Sequence, residues 1–142
     1  MSKVRKGIVS CLILGGLVTV SACQNSTTLK DGTFVGVSQK DENDAYASVT
    51  LTIKNQEISD VNFVTYQKDG SIKDEDYGKT AGEITNQEFY NKAQKAVKAM
   101  TTYQEQLIET KDIDEVDAIS GATISYEQFK EATETALKEA QE

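Results

Sequence analysis

Two stretches of alternating apolar and polar residues, joined by a two-residue connection, place the strongest constraint on how this 142-residue chain can fold. Over residues 47–54 every second residue is apolar, which is typical of a strand with one buried and one solvated face. Asn55 and Gln56 make the connection, and residues 58–66 return as a second strand. We therefore predict an antiparallel hairpin, preceded by a further strand over residues 33–38.

Two amphipathic helices are predicted after the strands. Thr85-Asn86-Gln87-Glu88 has the form of a capping box, in which the first and fourth side chains satisfy backbone N–H groups at a helix start. Apolar residues then recur at helical spacing: Phe89, Ala93, Ala96, Val97, Met100, Tyr103, Leu107 and Ile108. A final helix from Tyr126 carries a second stripe: Phe129, Ala132, Thr133, Ala136, Leu137 and Ala140. Two helices on one face of a small antiparallel sheet predict a single α+β domain.

A polar, glycine-punctuated stretch over residues 68–82 separates the strands from the first helix, and we predict a loop there. Its three adjacent acids, Asp74, Glu75 and Asp76, point in different directions along the backbone. Their spacing does not match a calcium-binding loop, so we predict no metal site.

The N-terminus has the pattern of an export signal. Lys3, Arg5 and Lys6 precede an apolar run over residues 7–20, which is shorter than the roughly 20 residues of a membrane span. Small residues then lead to Cys23, in an arrangement that resembles the lipobox of bacterial lipoproteins. This resemblance implies a signal peptide over 1–22, a diacylglycerol on Cys23, a polar tether over 23–28 and a folded domain over 29–142. Ordinary secretion with cleavage near Ala22 and an uncleaved anchor are the alternatives.

The composition limits what chemistry the chain can perform. Once Cys11 leaves with the signal and Cys23 is acylated, the domain has neither a thiol nor a histidine. Haem and iron–sulfur clusters would lack their usual ligands, whereas an organic redox carrier such as a flavin would fit. Removing three basic residues with the signal changes the formal charge from −8 to −11, so we expect no nucleic-acid partner. We also expect a low reduction potential, because negative charge disfavours gaining electrons.

A helix start is predicted at the end of residues 117–125, which read Asp-Ala-Ile-Ser-Gly-Ala-Thr-Ile-Ser. Ser125 begins Ser-Tyr-Glu-Gln, so Ser125 can cap the helix while Gln128 reaches back. Ile124 can then pack on Phe129 as a hydrophobic staple.

This predicted helix start is suited to binding an anion. Thr123 would lie just outside the helix, where unpaired N–H groups and the helix dipole favour negative charge. Gly121 and Ala122 would let a phosphorylated group approach the backbone closely. A turn that merely leads into a capped helix is the alternative interpretation.

The same residues resemble the Asp-x-x-Ser/Thr-Gly-Ala-Thr motif of the extracytoplasmic FMN-binding domains, in which a flavin transferase esterifies the FMN phosphate to the threonine. Residues 29–36 resemble the opening strand of these domains, so the resemblance covers nearly the whole chain after Thr28. It implies covalent FMN on Thr123, through a phosphodiester. Ser120 and Ser125 are placed to hydrogen-bond the phosphate. The implied cofactor-binding residues are Asp117, Ser120, Gly121, Ala122, Thr123 and Ser125.

The nearest subgroup is the flavin lipoproteins of extracellular electron transfer. This resemblance implies a lipid-anchored protein on the extracytoplasmic face of the cell membrane. Its partners would be the flavin transferase and a quinone-linked membrane dehydrogenase or another electron donor. We see no catalytic dyad and favour an electron carrier over an enzyme. A flavin-dependent reductase and a non-redox, ligand-binding surface lipoprotein are the alternatives.

The flavin ring would need a flat partner, and the sequence does not choose one. Tyr126 lies beside the attachment point, while more distant candidates are Tyr46, Tyr66, Tyr77, Tyr90 and Tyr103.

Overall fold

A computed structural model describes residues 28–141 of the chain. The predicted signal peptide, Cys23 and most of the tether lie outside the described residues. The elements in chain order are β1 (Gly32–Val37), β2 (Tyr46–Lys54), β3 (Glu57–Tyr66), α1 (Gln87–Thr110), a 3₁₀ turn (Ile113–Glu115) and α2 (Thr123–Gln141). None of the helices within residues 28–141 combines the length and apolar character that crossing a membrane requires.

The three strands form one antiparallel sheet in the order β1-β2-β3, with β2 in the centre. Asn55 and Gln56 join β2 to β3 with positive φ values of 54° and 65°, the backbone that tight hairpin turns need. The Asp31 carboxylate fixes this turn by accepting both N–H groups, at 3.0 Å and 2.8 Å. The predicted hairpin and the strand before it are therefore confirmed, each within one residue of its predicted ends.

Both helices pack on one face of the sheet, α1 mainly on β3 and α2 on β1 and β2, which confirms the α+β architecture. Phe63 of β3 meets Phe129 of α2 at a ring-centroid distance of 4.8 Å, and Tyr103 of α1 stacks on Phe129 at 5.8 Å. Tyr103 and Phe129 are completely buried. This aromatic contact joins the sheet and both helices at the centre of the core.

Residues 67–86 contain neither a helix nor a named strand, as the polar composition of residues 68–82 predicts. The segment folds back on β3 through a bridge between Tyr66 and Ile72. The backbone N–H of Lys73 donates to the carbonyl of Thr65 at 2.9 Å. Gln94 of α1 donates to the carbonyls of Asp74 and Tyr77. The segment is therefore tied to both the sheet and α1, and we call it the β3–α1 segment.

The start of α1 differs slightly from the predicted capping box. Asn86, not Thr85, is the N-cap, and its side chain accepts the Phe89 N–H at 3.0 Å. Phe89 is 51% exposed, so its predicted place in the apolar stripe is wrong, whereas Ala93, Met100 and Tyr103 are buried as expected.

The start of α2 also lies earlier than predicted. The Ala122 carbonyl accepts the first helical hydrogen bond, from the Tyr126 N–H at 3.0 Å, so the helix begins at Thr123. The predicted Ser125 cap is therefore wrong, and Gln128 donates instead to the carbonyl of Ala45 at 3.1 Å. The predicted staple of Ile124 on Phe129 is also wrong, because a staple residue precedes the cap and Ile124 lies inside the first turn of the helix.

Candidate functional site

A cavity of about 660 Å³ opens beside the start of α2, within the range of small-molecule and cofactor sites. Four parts of the chain enclose it: the turn between β1 and β2, the β3–α1 segment, one residue of α1 and the start of α2. Its wall is formed by Asp41, Asn43, Ala45, Gln67, Lys68, Asp69, Lys73, Tyr77, Ala96, Gly121, Ala122, Thr123, Ile124 and Ser125.

The first turn of α2 presents unpaired hydrogen-bond donors to this cavity. Ala122 stands at the capping position and has no side-chain oxygen that could accept a bond from the first turn. Within residues 28–141, the N–H groups of Thr123, Ile124 and Ser125 donate no hydrogen bond. Three donors at the positive end of a 19-residue helix favour an anion at this point.

Two hydroxyl groups flank these donors. Thr123 is exposed and can be reached from solvent, whereas Ser125 is 6% exposed and still lines the cavity. The Ser125 hydroxyl makes no hydrogen bond to any other described residue, and its oxygen is not fully enclosed, because the fully buried side-chain oxygens without a partner within residues 28–141 are Gln128 Oε1 and Thr133 Oγ1. An unpaired hydroxyl on the cavity wall is a ready partner for a polar ligand.

The turn before α2 is held in place by α1. The Tyr103 hydroxyl accepts the Ile119 N–H at 3.0 Å and donates to the Ala122 carbonyl at 3.2 Å. Gly121 has a φ of 84°, which is strained for other residues. The side chain of Lys95 on α1 passes next to Gly121, and its Nζ lies 3.3 Å from the position that a Cβ on residue 121 would take. A cation therefore lies next to the turn.

Another part of the cavity wall is contributed by the β3–α1 segment. Lys73 lies over the Tyr77 ring, with Nζ 5.3 Å from the ring centroid. Burial lowers the pKa of Lys73, and the Asp41 carboxylate acts in the opposite direction. Burial, followed by the charge of Asp41, raises the pKa of Tyr77. This wall thus combines one aromatic ring with one half-buried ammonium group.

Comparison with known proteins identifies the fold and the family. The FMN-binding domain family matches residues 42–138, a range that contains most of the cavity wall and the whole 117–125 stretch. This chain belongs to the FMN-binding domain family. No curated protein shows significant similarity to it.

Two solved structures are similar to this FMN-binding domain, and the first of them shows its fold. The crystal structure of a protein from Clostridium perfringens matches 80% of this chain and 89% of that chain, with a TM-score of 0.63 and 23% identity. That likeness shows the same fold. A solution NMR structure of a protein from Clostridium thermocellum matches 80% of this chain and 94% of that chain, at 26% identity and a TM-score of 0.47.

The cavity of the FMN-binding domain fits the two ends of FMN. Three unpaired N–H groups and the Ser125 hydroxyl suit a phosphate, and Lys95 lies next to the turn that precedes them. Ala45, Ala96 and Tyr77 give the same cavity an apolar part suited to a ring system.

The structure brings four of the six predicted site residues to the cavity wall: Gly121, Ala122, Thr123 and Ser125. Asp117 and Ser120 are exposed on the turn that leads to it and do not line the cavity. The backbone N–H of Asp117 donates to Gln106 Oε1 of α1 at 2.7 Å. Both residues are therefore accessible to another protein.

Among the tyrosines of residues 28–141, Tyr77 alone lines the cavity. Tyr126 instead packs on Tyr103 at 5.7 Å, and Tyr46 stacks on Tyr66 at 5.0 Å. Sequence reasoning missed Lys73 and Lys95, because lysines in a polar loop and on an exposed helix face carry no signal of their own.

Proposed function

We propose that this protein is a lipid-anchored, extracytoplasmic flavoprotein that carries FMN covalently on Thr123 and passes electrons from a membrane donor to an outside acceptor. The observation that carries the proposal is the position of Thr123. Its hydroxyl is exposed at the cavity rim, at the first residue of a helix whose first three N–H groups are unpaired among the described residues.

Attachment would make this protein the substrate of a flavin transferase. The Thr123 oxygen forms a bond to the FMN phosphorus of FAD, the pyrophosphate bond breaks, AMP leaves, and the hydroxyl proton passes to a base of the transferase. Asp117 and Ser120 are exposed beside Thr123, which suits recognition of this turn by an enzyme. Tyr103 keeps the turn in one conformation through its two hydrogen bonds.

After attachment, the residues of this chain would hold and shield the cofactor. The N–H groups of Thr123, Ile124 and Ser125 bind the phosphate, and the Ser125 hydroxyl adds a further hydrogen bond. Tyr77, Ala45 and Ala96 line the same cavity and would cover part of the ring and shield it from water. The bound flavin supplies the redox chemistry that the side chains of the domain lack.

In-gel flavin fluorescence after denaturing electrophoresis tests this proposal. Wild type, Thr123→Ala and Thr101→Ala are purified from cells that export the protein and contain an active flavin transferase. Denaturation removes any flavin that is not covalently bound, so we expect bright bands for wild type and Thr101→Ala and a dark band for Thr123→Ala. Thr101 is a matched control because it is an exposed threonine on α1, away from the cavity.

A dark wild-type band, with a control substrate fluorescent in the same cells, would contradict covalent attachment. A bright Thr123→Ala band would move the attachment to another hydroxyl, with Ser120→Ala the next variant to compare. Mass spectrometry of the fluorescent tryptic peptide locates the bond independently.

A further inference from the structure

Outside the turn that leads to Thr123, the ammonium group of Lys73 is a cavity group to which the proposed function gives no role. Lys73 belongs to the β3–α1 segment and lines the same cavity as Thr123, with its half-buried side chain over the Tyr77 ring. Its backbone is fixed by the hydrogen bond to Thr65 on β3. The position of this cation is therefore set by the sheet and not by an untethered loop.

Within residues 28–141, no carboxylate oxygen lies within ion-pair distance of Lys73. Asp41 and Asp69 lie on the same cavity wall, where Asp41 accepts the N–H groups of Asn43 and Ala45, and Asp69 accepts the N–H and hydroxyl of Ser71. Burial lowers the pKa of Lys73, and the Asp41 charge raises it to a smaller extent from beyond ion-pair distance. Because a half-buried charge without a direct ion pair is unfavourable, this arrangement points to an anionic occupant of the cavity.

The phosphate already has partners at the start of α2. Under the proposed function its place is fixed by Thr123, next to the three N–H groups and the Ser125 hydroxyl. Lys73 instead lies over the ring of Tyr77, the aromatic residue of the cavity wall. The second anion that a flavin can supply is its own ring, since a neutral oxidised ring that gains two electrons and one proton becomes negatively charged.

We propose that Lys73 is the counter-charge for the reduced flavin ring and thereby raises the reduction potential of the bound cofactor. This inference rests on the proposed function, because it requires a flavin in the cavity. The excess of acidic residues is expected to lower the reduction potential of the flavin, and Lys73 would act against that effect. A cation close to the ring favours the reduced form, which carries the extra negative charge.

Spectroelectrochemical titration of flavinylated protein tests the assignment, with the variants Lys73→Met, Lys73→Arg and Lys79→Met. At the potential where wild type is half reduced, we expect the reduced-to-oxidised ratio to fall about tenfold in Lys73→Met. Lys73→Arg should stay within about threefold of wild type, since it keeps the charge. Lys79 is a matched control because it belongs to the same segment and lies over Tyr90 at 5.9 Å, but pairs with Asp76 and does not line this cavity.

An unchanged ratio in flavinylated Lys73→Met would overturn the assignment. A folded Lys73→Met protein that takes up no flavin would overturn it as well, because the lysine would then act in attachment. Either result is distinct from a failure of the proposed function, in which wild type itself carries no flavin.

A second test needs no bound flavin. It compares the urea stability of Thr123→Ala with that of Thr123→Ala/Lys73→Met. Removing a half-buried cation that makes no direct ion pair within residues 28–141 should leave urea stability unchanged or raise it in Thr123→Ala/Lys73→Met. A clear loss of stability would assign Lys73 a structural role and contradict the proposal.

Discussion

The hydroxyl group of Tyr103 links α1 to the turn that presents Thr123. The ring is completely buried, and burial raises the pKa of the hydroxyl, so the group remains protonated and can donate to the Ala122 carbonyl. The same oxygen accepts the Ile119 N–H. Both partners belong to the turn, so one oxygen atom fixes two points of its backbone.

We predict that Tyr103→Phe destabilises the protein by about 1–2 kcal/mol, because the ring still fits while a backbone donor and acceptor lose their partner. Urea denaturation measures this loss. Tyr66→Phe is the control: Tyr66 is half-buried in stacking on Tyr46, and its hydroxyl makes no hydrogen bond within residues 28–141. Flavin incorporation at a fixed, short time should also be slower in Tyr103→Phe. Equal stability and equal incorporation in all three proteins would contradict this role of the hydroxyl.

The packing of α2 on β1 depends on the absence of a side chain at Gly36. A Cβ at this position would lie 1.9 Å from the carbonyl oxygen of Ala132 and 2.5 Å from the N–H nitrogen of Ala136. These are backbone atoms of a helix, so they cannot move aside as the end of a flexible side chain can. Gly36 therefore sets how closely the helix approaches the sheet.

Gly36→Ala should destabilise the domain by about 3 kcal/mol or more, because the helix has to move away from the sheet. The free energy of unfolding in urea measures the effect. Gly70→Ala is the control, since Gly70 has a φ of 86° and open space around it; there we expect only the backbone cost of about 1–2 kcal/mol. A smaller effect at Gly36 than at Gly70 would show that α2 is not closely packed on β1.

The strands could be predicted closely from the sequence, and the start of α2 could not. Alternation over residues 47–54 reports directly which face is buried, so the strand ends follow from where the pattern stops. The cap of α2 is Ala122, a residue with no capping side chain, whereas Ser125 carries the pattern of a cap and lies inside the first turn. An unsatisfied helix start is the exception to the capping rule, and here it coincides with the candidate site.

The sequence could not predict which parts of the chain combine to form the cavity. The residues on the α2 side carry a motif, so Gly121, Ala122, Thr123 and Ser125 could be named in advance. Lys73 joins them in the cavity wall because the β3–α1 segment folds back on β3 and α1. The cavity thus combines parts of the chain that are about 50 residues apart, and no local pattern reports this.

The acidic character of the chain acts over longer distances than any of these contacts. The full sequence carries 23 acidic and 15 basic residues. At low ionic strength such an excess attracts cations and repels anions over roughly 10–30 Å. The cavity wall itself is mixed, with Lys68 and Lys73 beside Asp41 and Asp69. The net charge should therefore change the rate at which a small charged redox partner approaches the protein more than the affinity with which it binds in the cavity.

An electron carrier should show this effect in its oxidation rates. We predict that, as salt is raised from about 10 to 300 mM, oxidation of the reduced flavoprotein slows about tenfold with a small cationic acceptor and speeds up with an anionic one. Stopped-flow absorbance measures both rates, with a neutral quinone as the control of little salt dependence. A carrier should also react with all three acceptors without saturation at low concentration. Saturation with one acceptor alone, at a rate indifferent to salt, would contradict the carrier and favour a flavin-dependent reductase with its own substrate pocket.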